Sequence, residues 1–300
     1  MEITKNKIIP VIFGLNRYCL SKREVSLIKN NNIYGFIIFQ RNIFSTIQLK
    51  NLINHIKSLC KNNPIFMIDH EGGRINRFNH IFTQRKYSGN YFGNLYKLDK
   101  KKFLEEASNF IKFNINIFKY LGIDTVAYPV SDLKHKNTHK VIGDRAFSNN
   151  PRIVNYLSQF FINKYQQNGI KCISKHVPGH GLAEKDSHYD LPVVTKSLQY
   201  LEQNDFSCFE KLNSFFMMTA HVKYNQIDDK VATYSKKIIS LIRKKIQFKG
   251  VIMTDDICMK ALNQSLKYRV TQPLLAGCDI ILHCNGNINE MEQIISILKK

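Results

Sequence analysis

The stretch GVIMTDD, residues 250–256, sets the reading of this chain. A glycine precedes the short apolar run Val251-Ile252-Met253, and Thr254-Asp255-Asp256 closes it. A short apolar run bounded by turn residues and ending in polar ones reads as a strand covered on both faces. The same grammar recurs in IIPVIFGL (8–15), YGFIIF (34–39), PIFMID (64–69), DTVAYPV (124–130), IKCISKH (170–176), FFMMTAH (215–221) and CDIILHC (278–284). Between these runs lie stretches with helical period, such as SKREVSLIKNN, STIQLKNLINHIKSLCK, NPRIVNYLSQFFINKYQQNG, KSLQYLEQNDFSCFEKLN and SKKIISLIRKKIQ. In the last, Ile238, Ile239, Leu241, Ile242 and Ile246 fall on one face, as a helix with one buried side requires.

Strands alternating with helices imply an α/β protein built on a parallel sheet. Eight strands in about this length fit a closed (β/α)8 barrel of the TIM type. A doubly wound open sheet is the rival. Two features favour the barrel. The first strand is followed by no glycine-rich phosphate loop, and polar residues mark the strand ends: Asp69-His70-Glu71, Lys175-His176, Ala220-His221, Asp255-Asp256 and His283. In a barrel these ends share one face, where active sites sit. No linker or low-complexity tract interrupts the pattern, so residues 1–300 are expected to form one catalytic domain with no second domain.

Hydrophobic residues at 44% and charged residues at 22% exclude wholesale disorder. The 44 Lys and Arg against 23 Asp and Glu give +21, which permits anionic partners. The charge is spread along the whole chain (KNKII, CKNNP, IRKKIQFK), whereas a nucleic-acid binder concentrates it in a patch or tail. The expectation is therefore a small-molecule substrate, no nucleic acid, no membrane partner, and a monomer. Seven cysteines without a CxxC pair, several inside apolar runs, read as free thiols of a reducing compartment. The N-terminal apolar run is broken by Pro10 and Gly14, and no apolar stretch is long enough to cross a bilayer. The expected location is the cytoplasm.

Four segments carry the chemistry. In KHVPGHGLAEKDSHYDLP (175–192), Pro178, Gly179 and Gly181 open a loop that holds His180, Asp186, His188 and Asp190. Solvated loop polarity, a metal site and acid/base work all fit such a cluster. The Asp186-Ser187-His188 spacing adds a carboxylate beside an imidazole, which orients the ring and raises its basicity. In TDD (254–256), strict alternation along a strand aims one aspartate at the barrel mouth. Helix capping accounts for Asp256 more easily than for Asp255. MIDHEGGRINRF (67–78) ends a strand at Asp69, turns at Gly72 and Gly73, and presents Arg74 and Arg77. VIGDRAFS (141–148) presents Arg145. Each arginine is either a surface charge or a rigid donor fork for a ligand.

At these segments the chain resembles the bacterial β-N-acetylglucosaminidases of glycoside hydrolase family 3. DHEGGRINRF, GDRAFS, KHVPGHGLAEKDSH, MTAHVKYNQID and GVIMTDDICMKA stand in the family's order, with AYPVSDL and AGCDIILHCN, and the resemblance runs from near residue 11 to near residue 285. It implies a (β/α)8 barrel that removes terminal β-linked N-acetylglucosamine from GlcNAc-1,6-anhydro-MurNAc peptides in cytoplasmic peptidoglycan recycling, with no cofactor and no metal. By motif, Asp255 matches the catalytic nucleophile and His188 the acid/base. Asp186 matches the carboxylate paired with that histidine. Asp69, Arg77, Arg145, Lys175 and His176 match positions that hold the sugar.

The implied chemistry is coherent. Retaining glycosidases normally use two carboxylates, one as nucleophile and one as acid/base. Here an imidazole on a glycine-rich loop takes the second role. The chain departs from the family at His70, where glutamine is commoner, and relatives often continue past the point reached at Lys300. Three rivals are distinguishable by experiment. They are a β-N-acetylglucosaminide phosphorylase of the same fold, a basic binding protein without turnover, and a metal-dependent hydrolase using His176, His180, Asp186 and His188.

Overall fold

The structure, a computed structural model, describes residues 8–187 and 189–299. Ten strands occur among them: β1 (Ile9–Gly14), β2 (Ile33–Ile38), β3 (Ile65–Ile68), β4 (Thr125–Val126), β5 (Lys171–Val177), β6 (Val193–Val194), β7 (Phe216–Thr219), β8 (Lys223–Tyr224), β9 (Val251–Asp256) and β10 (Ile280–His283). Eight of them close into a barrel in the order β1-β10-β9-β7-β5-β4-β3-β2, every pair parallel. Each coincides with one of the eight apolar runs read from the sequence. The chain is thus an α/β barrel of the TIM type.

The helices are α1 (Lys22–Lys29), α2 (Thr46–Leu59), α3 (Gly89–Leu98), α4 (Lys100–Leu121), α5 (Pro151–Gln166), α6 (Leu198–Gln203), α7 (Lys236–Lys244), α8 (Leu266–Ala276) and α9 (Ile288–Leu298). They begin where short polar side chains cap free backbone amides. Ser21 and Glu24 form a reciprocal box at α1, Asn150 caps α5 ahead of Pro151, and Ser235 and Ser265 cap α7 and α8. On α7 the buried positions are Ile238, Ile239 and Ile242, the face expected from the periodicity. No helix among the described residues is long and apolar enough to cross a membrane.

Two apolar layers follow from strand alternation. The barrel interior is filled by Ile12, Ile37, Met67, Ile173, Phe216, Met218, Met253 and Leu282 with their neighbours. The outward-facing residues, such as Phe13, Phe36, Phe66, Val126, Cys172, Met217, Ile252 and Ile281, pack under the helices in a larger layer rich in phenylalanine. All seven cysteines are free, and Cys172, Cys208, Cys278 and Cys284 are buried.

Two local expectations change. Residues 196–213 do not form one helix: α6 stops at Gln203 and a short 3-10 turn covers Phe206–Phe209. The break falls at Asp205, whose buried carboxylate turns to His135 Nε2 at 3.0 and 3.1 Å. No helix starts directly after Asp256 either. The next one is α8, and Ser265 is its cap.

Candidate active site

One cavity of about 670 Å³ opens at the C-terminal ends of the strands, a volume suited to a small ligand. Asp69, Arg77, Arg145, Lys175, His176, Asp186 and Asp255 all line it. The seven arrive from different parts of the chain, and the barrel brings every one of them together. His188 lies outside the described residues.

At its floor, charges alternate in sign. Lys175 Nζ sits 2.5 Å from Asp69 Oδ1 and 2.6 Å from Glu71 Oε1. Arg77 donates to the other oxygen of Asp69 and, at 2.8 Å, to its backbone carbonyl. Arg145 grips Glu71 with Nε and Nη2 at 2.8 and 2.7 Å. Burial alone would raise the Asp69 carboxyl, but the Lys175 ammonium and the Arg77 guanidinium outweigh it and hold it well below the usual range. Burial likewise works to raise Glu71, and Arg145 and Lys175 bring it down. The site therefore keeps two carboxylates ionised and three cationic donors fixed before any ligand arrives.

The glycine turn after Asp69 serves this cluster. Gly72 has φ +84°, and a Cβ there would stand 2.4 Å from the Tyr87 carbonyl oxygen. The turn sends Arg74 outward to Asp144 at 2.8 Å and to the carbonyls of Lys140 and Val141, both at 2.6 Å. Arg74 thus pins the segment that carries Arg145, and Arg145 Nη1 joins in through the Val141 carbonyl at 2.9 Å.

At the end of β9, strict alternation does not hold. The β10–β9 register shifts between Ile280 and Leu282, pairing Ile280 with Met253 but Leu282 with Asp256. The extra residue lets both Asp255 and Asp256 line the cavity. Asp256 is not a helix cap. Its Oδ1 accepts from the amides of Cys258 and Cys284, both at 3.0 Å, and so fastens the end of β9 to the end of β10. Its carbonyl accepts a hydrogen bond from His221 Nε2 at 3.0 Å, while His221 Nδ1 accepts from Thr233 Oγ1 at 2.8 Å. A similar register break between Lys175 and Val177 on β5 puts both Lys175 and His176 at the mouth.

Burial would raise the Asp255 carboxyl, yet neighbouring positive charge, that of Lys175 included, and the amide of Asp256, 2.7 Å from Oδ1, bring it below its ordinary value. Asp255 is thus an ionised carboxylate with one oxygen held by backbone, as a nucleophile requires.

The loop after β5 is tied down at its stem. His180 and Ser187 are buried, and His180 Nε2 pairs with Ser187 Oγ at 3.1 Å. Thr138 Oγ1 donates to the Gly181 carbonyl at 2.8 Å, and the Tyr224 hydroxyl donates to that of Gly179. Beyond it, β6 pairs with β8 and returns the chain to the barrel. Among the described residues, the side chains close enough to share a metal ion are Cys258, His283 and Glu290.

Sequence reasoning assigned no site role to Glu71, Asp132 or His221, and named His180 only among the ligands of the metal-hydrolase rival. Glu71 and His221 stood among the strand-end polar residues, which is the only signal they gave. Asp132 sits in AYPVSDL with no such mark.

Residues 10–300 match the family model for the glycosyl hydrolase family 3 N terminal domain. A β-hexosaminidase of Neisseria meningitidis is 36% identical over 283 residues, covering 92% of this chain and 78% of the relative. One from Hydrogenovibrio crunogenus is 32% identical, covering 93% and 79%. The crystal structure of NagZ from Neisseria gonorrhoeae in complex with N-trifluoroacetyl-D-glucosamine superposes with a TM-score of 0.87 at 34% identity, over 96% of this chain and 84% of that one. A parallel barrel whose strand ends gather these carboxylates and cations, joined to relatives of that kind across nearly its whole length, belongs to glycosyl hydrolase family 3 as a glycosidase of the β-hexosaminidase type.

Proposed function

We propose that this chain acts as a single barrel domain and is a retaining exo-β-N-acetylglucosaminidase. It removes terminal β-1,4-linked N-acetylglucosamine from GlcNAc-1,6-anhydro-MurNAc peptides, in the cytoplasm, during peptidoglycan recycling. Asp255 Oδ attacks the anomeric carbon. The bond to the leaving oxygen breaks as His188 gives that oxygen its proton. The result is a glycosyl ester on Asp255. His188, now neutral, takes a proton from water, and the water oxygen attacks the same carbon and releases Asp255. Asp186 stabilises the charged imidazole before it donates in the first step and again after it takes the proton from water in the second. Asp69 accepts from sugar hydroxyls, while Arg77, Arg145, Lys175 and His176 position the ring and its substituents. Such polar contacts discriminate because a wrong sugar leaves them unpaired.

One observation carries the reading: the ionised, partly buried Asp255 faces the same cavity as the fixed donors and acceptors of β3 and β5. The N-acetylated glucosamine analogue held by the Neisseria relative supports the sugar class. The cationic side chains Arg41 and Lys140 on the cavity wall suit a substrate carrying peptide carboxylates.

The test is incubation with GlcNAc-1,6-anhydro-MurNAc peptide and with a 5-fluorinated slow β-GlcNAc substrate, followed by mass analysis. Free GlcNAc and a label on Asp255 are expected. A label on another side chain, or product without any label, overturns the mechanism. GlcNAc-1-phosphate as main product in phosphate buffer replaces hydrolysis by phosphorolysis.

A further inference from the structure

Asp132 is fully buried and stands behind the cavity, not on its wall. Its carboxylate receives three hydrogen bonds from the segment that opens the active-site loop. Oδ2 pairs with His176 Nδ1 at 2.7 Å, and Oδ1 accepts from the amides of His176 at 3.2 Å and His180 at 2.7 Å. His180 in turn holds Ser187, the residue between Asp186 and His188. One carboxylate thus touches both the sugar-facing ring and the stem of the acid/base loop.

The ring's tautomer follows from the donor inventory. An ionised carboxylate only accepts, so the proton of a neutral His176 must sit on Nδ1. That leaves Nε2 with its lone pair as the nitrogen available to the cavity. The neighbouring His180 ring stands 5.7 Å away at 66° and packs against the imidazole in this orientation.

We propose that Asp132 is a positioning residue: it fixes His176 as a hydrogen-bond acceptor for a sugar hydroxyl and, through His180, sets the stem of the loop that carries Asp186 and His188. The inference rests on the reading of the cavity as a sugar site. A residue that merely staples β4 to β5 would leave the polarity of His176 indifferent.

The test has two arms. In enzyme labelled with 15N-histidine, long-range proton–nitrogen spectra report each tautomer, and His176 is assigned by its loss in His176→Gln. The wild type is expected to carry the proton on Nδ1. Asp132→Asn keeps the size and the Oδ1 acceptor but places an amide N–H opposite Nδ1, so the proton is expected to move to Nε2. A wild-type His176 protonated on Nε2, or on both nitrogens, overturns the proposal. This measurement stands even if the variant does not fold.

The second arm compares aryl β-GlcNAc with its monodeoxy analogues. In the wild type, removing the hydroxyl that donates to Nε2 is expected to lower kcat/KM roughly 10- to 100-fold, the range for one hydrogen bond to a strong partner. In Asp132→Asn the parent substrate is expected to fall by a similar factor, and the deoxy penalty to shrink towards unity, the sign of two groups acting through one contact. Identical deoxy penalties in both enzymes overturn the proposal. Failure of the wild type to turn over any of these substrates would sink the hydrolase reading, while the tautomer would still judge Asp132.

Discussion

Glu71 and Arg145 meet as a two-pronged ion pair across 74 residues of sequence, with Nε on Oε2 and Nη2 on Oε1. Glu71 does not line the cavity, but Arg145 does. The same Glu71 carboxylate also holds Lys175, which holds Asp69, which holds Arg77. The five charges alternate in sign, and four of them line the cavity. Glu71 is therefore the clamp behind the binding groups, and its own burial makes it dependent on them: its side chain is 4% exposed.

Glu71→Gln is expected to weaken both binding and folding. The amide keeps one acceptor but loses the charge that offsets Arg145 and Lys175. Breaking a buried pair by removing one partner leaves an uncompensated charge and costs roughly 3–5 kcal/mol. In urea unfolding, the midpoint should fall accordingly. In steady-state assays with an aryl β-GlcNAc, the loss should appear mainly in KM, because the donors that hold the sugar are loosened and Asp255 is untouched. A variant with an unchanged KM and midpoint would show that Arg145 and Lys175 need no support from Glu71.

A second support lies in α3. A Cβ on Gly89 would come within 2.0 Å of the Arg145 carbonyl oxygen, and one on Gly93 within 1.7 Å of the Phe147 carbonyl oxygen. The helix lies directly against the backbone of the GDRAFS segment, so an added methyl must push that segment away. Gly89→Ala is expected to lower kcat/KM by displacing Arg145, besides about 1–3 kcal/mol of overpacking. Gly93→Ala, two residues further along the segment, should cost similar stability with a smaller kinetic effect. Equal kinetic losses in the two variants would point to general loosening, not to Arg145.

These supports explain what the sequence could and could not tell. The eight strands were legible because each is an apolar run with a polar end, a local pattern. The groups on the cavity wall were legible because they stand in motifs at those ends. Glu71 and Asp132 were not assigned, since each gains its role from partners 74 and 44 residues away. The GNYFG spacing of Gly89 and Gly93 gave no hint of the carbonyls packed on it. Strict alternation also misled at Asp255-Asp256, because a register shift depends on the neighbouring strand and not on the strand itself.

The assignment of His188 as acid/base predicts a dependence on leaving group. Proton donation matters most when the departing oxygen is a poor leaving group. His188→Ala should therefore slow a GlcNAc disaccharide by roughly 100-fold or more, within the range general acid catalysis supplies. It should slow the first step on a dinitrophenyl glycoside little. Parallel losses on the two substrates would assign the histidine a structural part in the loop.

His70 makes a pH-dependent contribution to stability. The ring is fully committed in its neutral form: Nε2 lies 2.7 Å from Gln84 Oε1, and Nδ1 accepts from the Arg77 amide at 3.3 Å. Gln84 cannot reverse its amide, because its nitrogen donates to Asn114 Oδ1 at 2.9 Å. Burial, with Arg77 nearby, lowers the imidazole from 6.5 to about 4. As pH falls from about 6.5 towards 4, the unfolded chain binds this proton before the folded one does. Stability contributed by His70 is complete above 6.5 and is lost through that window, on the order of 3 kcal/mol in all. His180, also lowered to about 4 by burial, acts in the same direction, as do His221 and His283, which burial lowers too. In His70→Gln the His70 contribution disappears and the others stay. Urea midpoints measured between pH 7 and pH 4.5 should therefore fall less steeply in the variant than in the wild type. Superimposable pH dependences would mean that His70 is already charged, or already free of Gln84, in the folded protein.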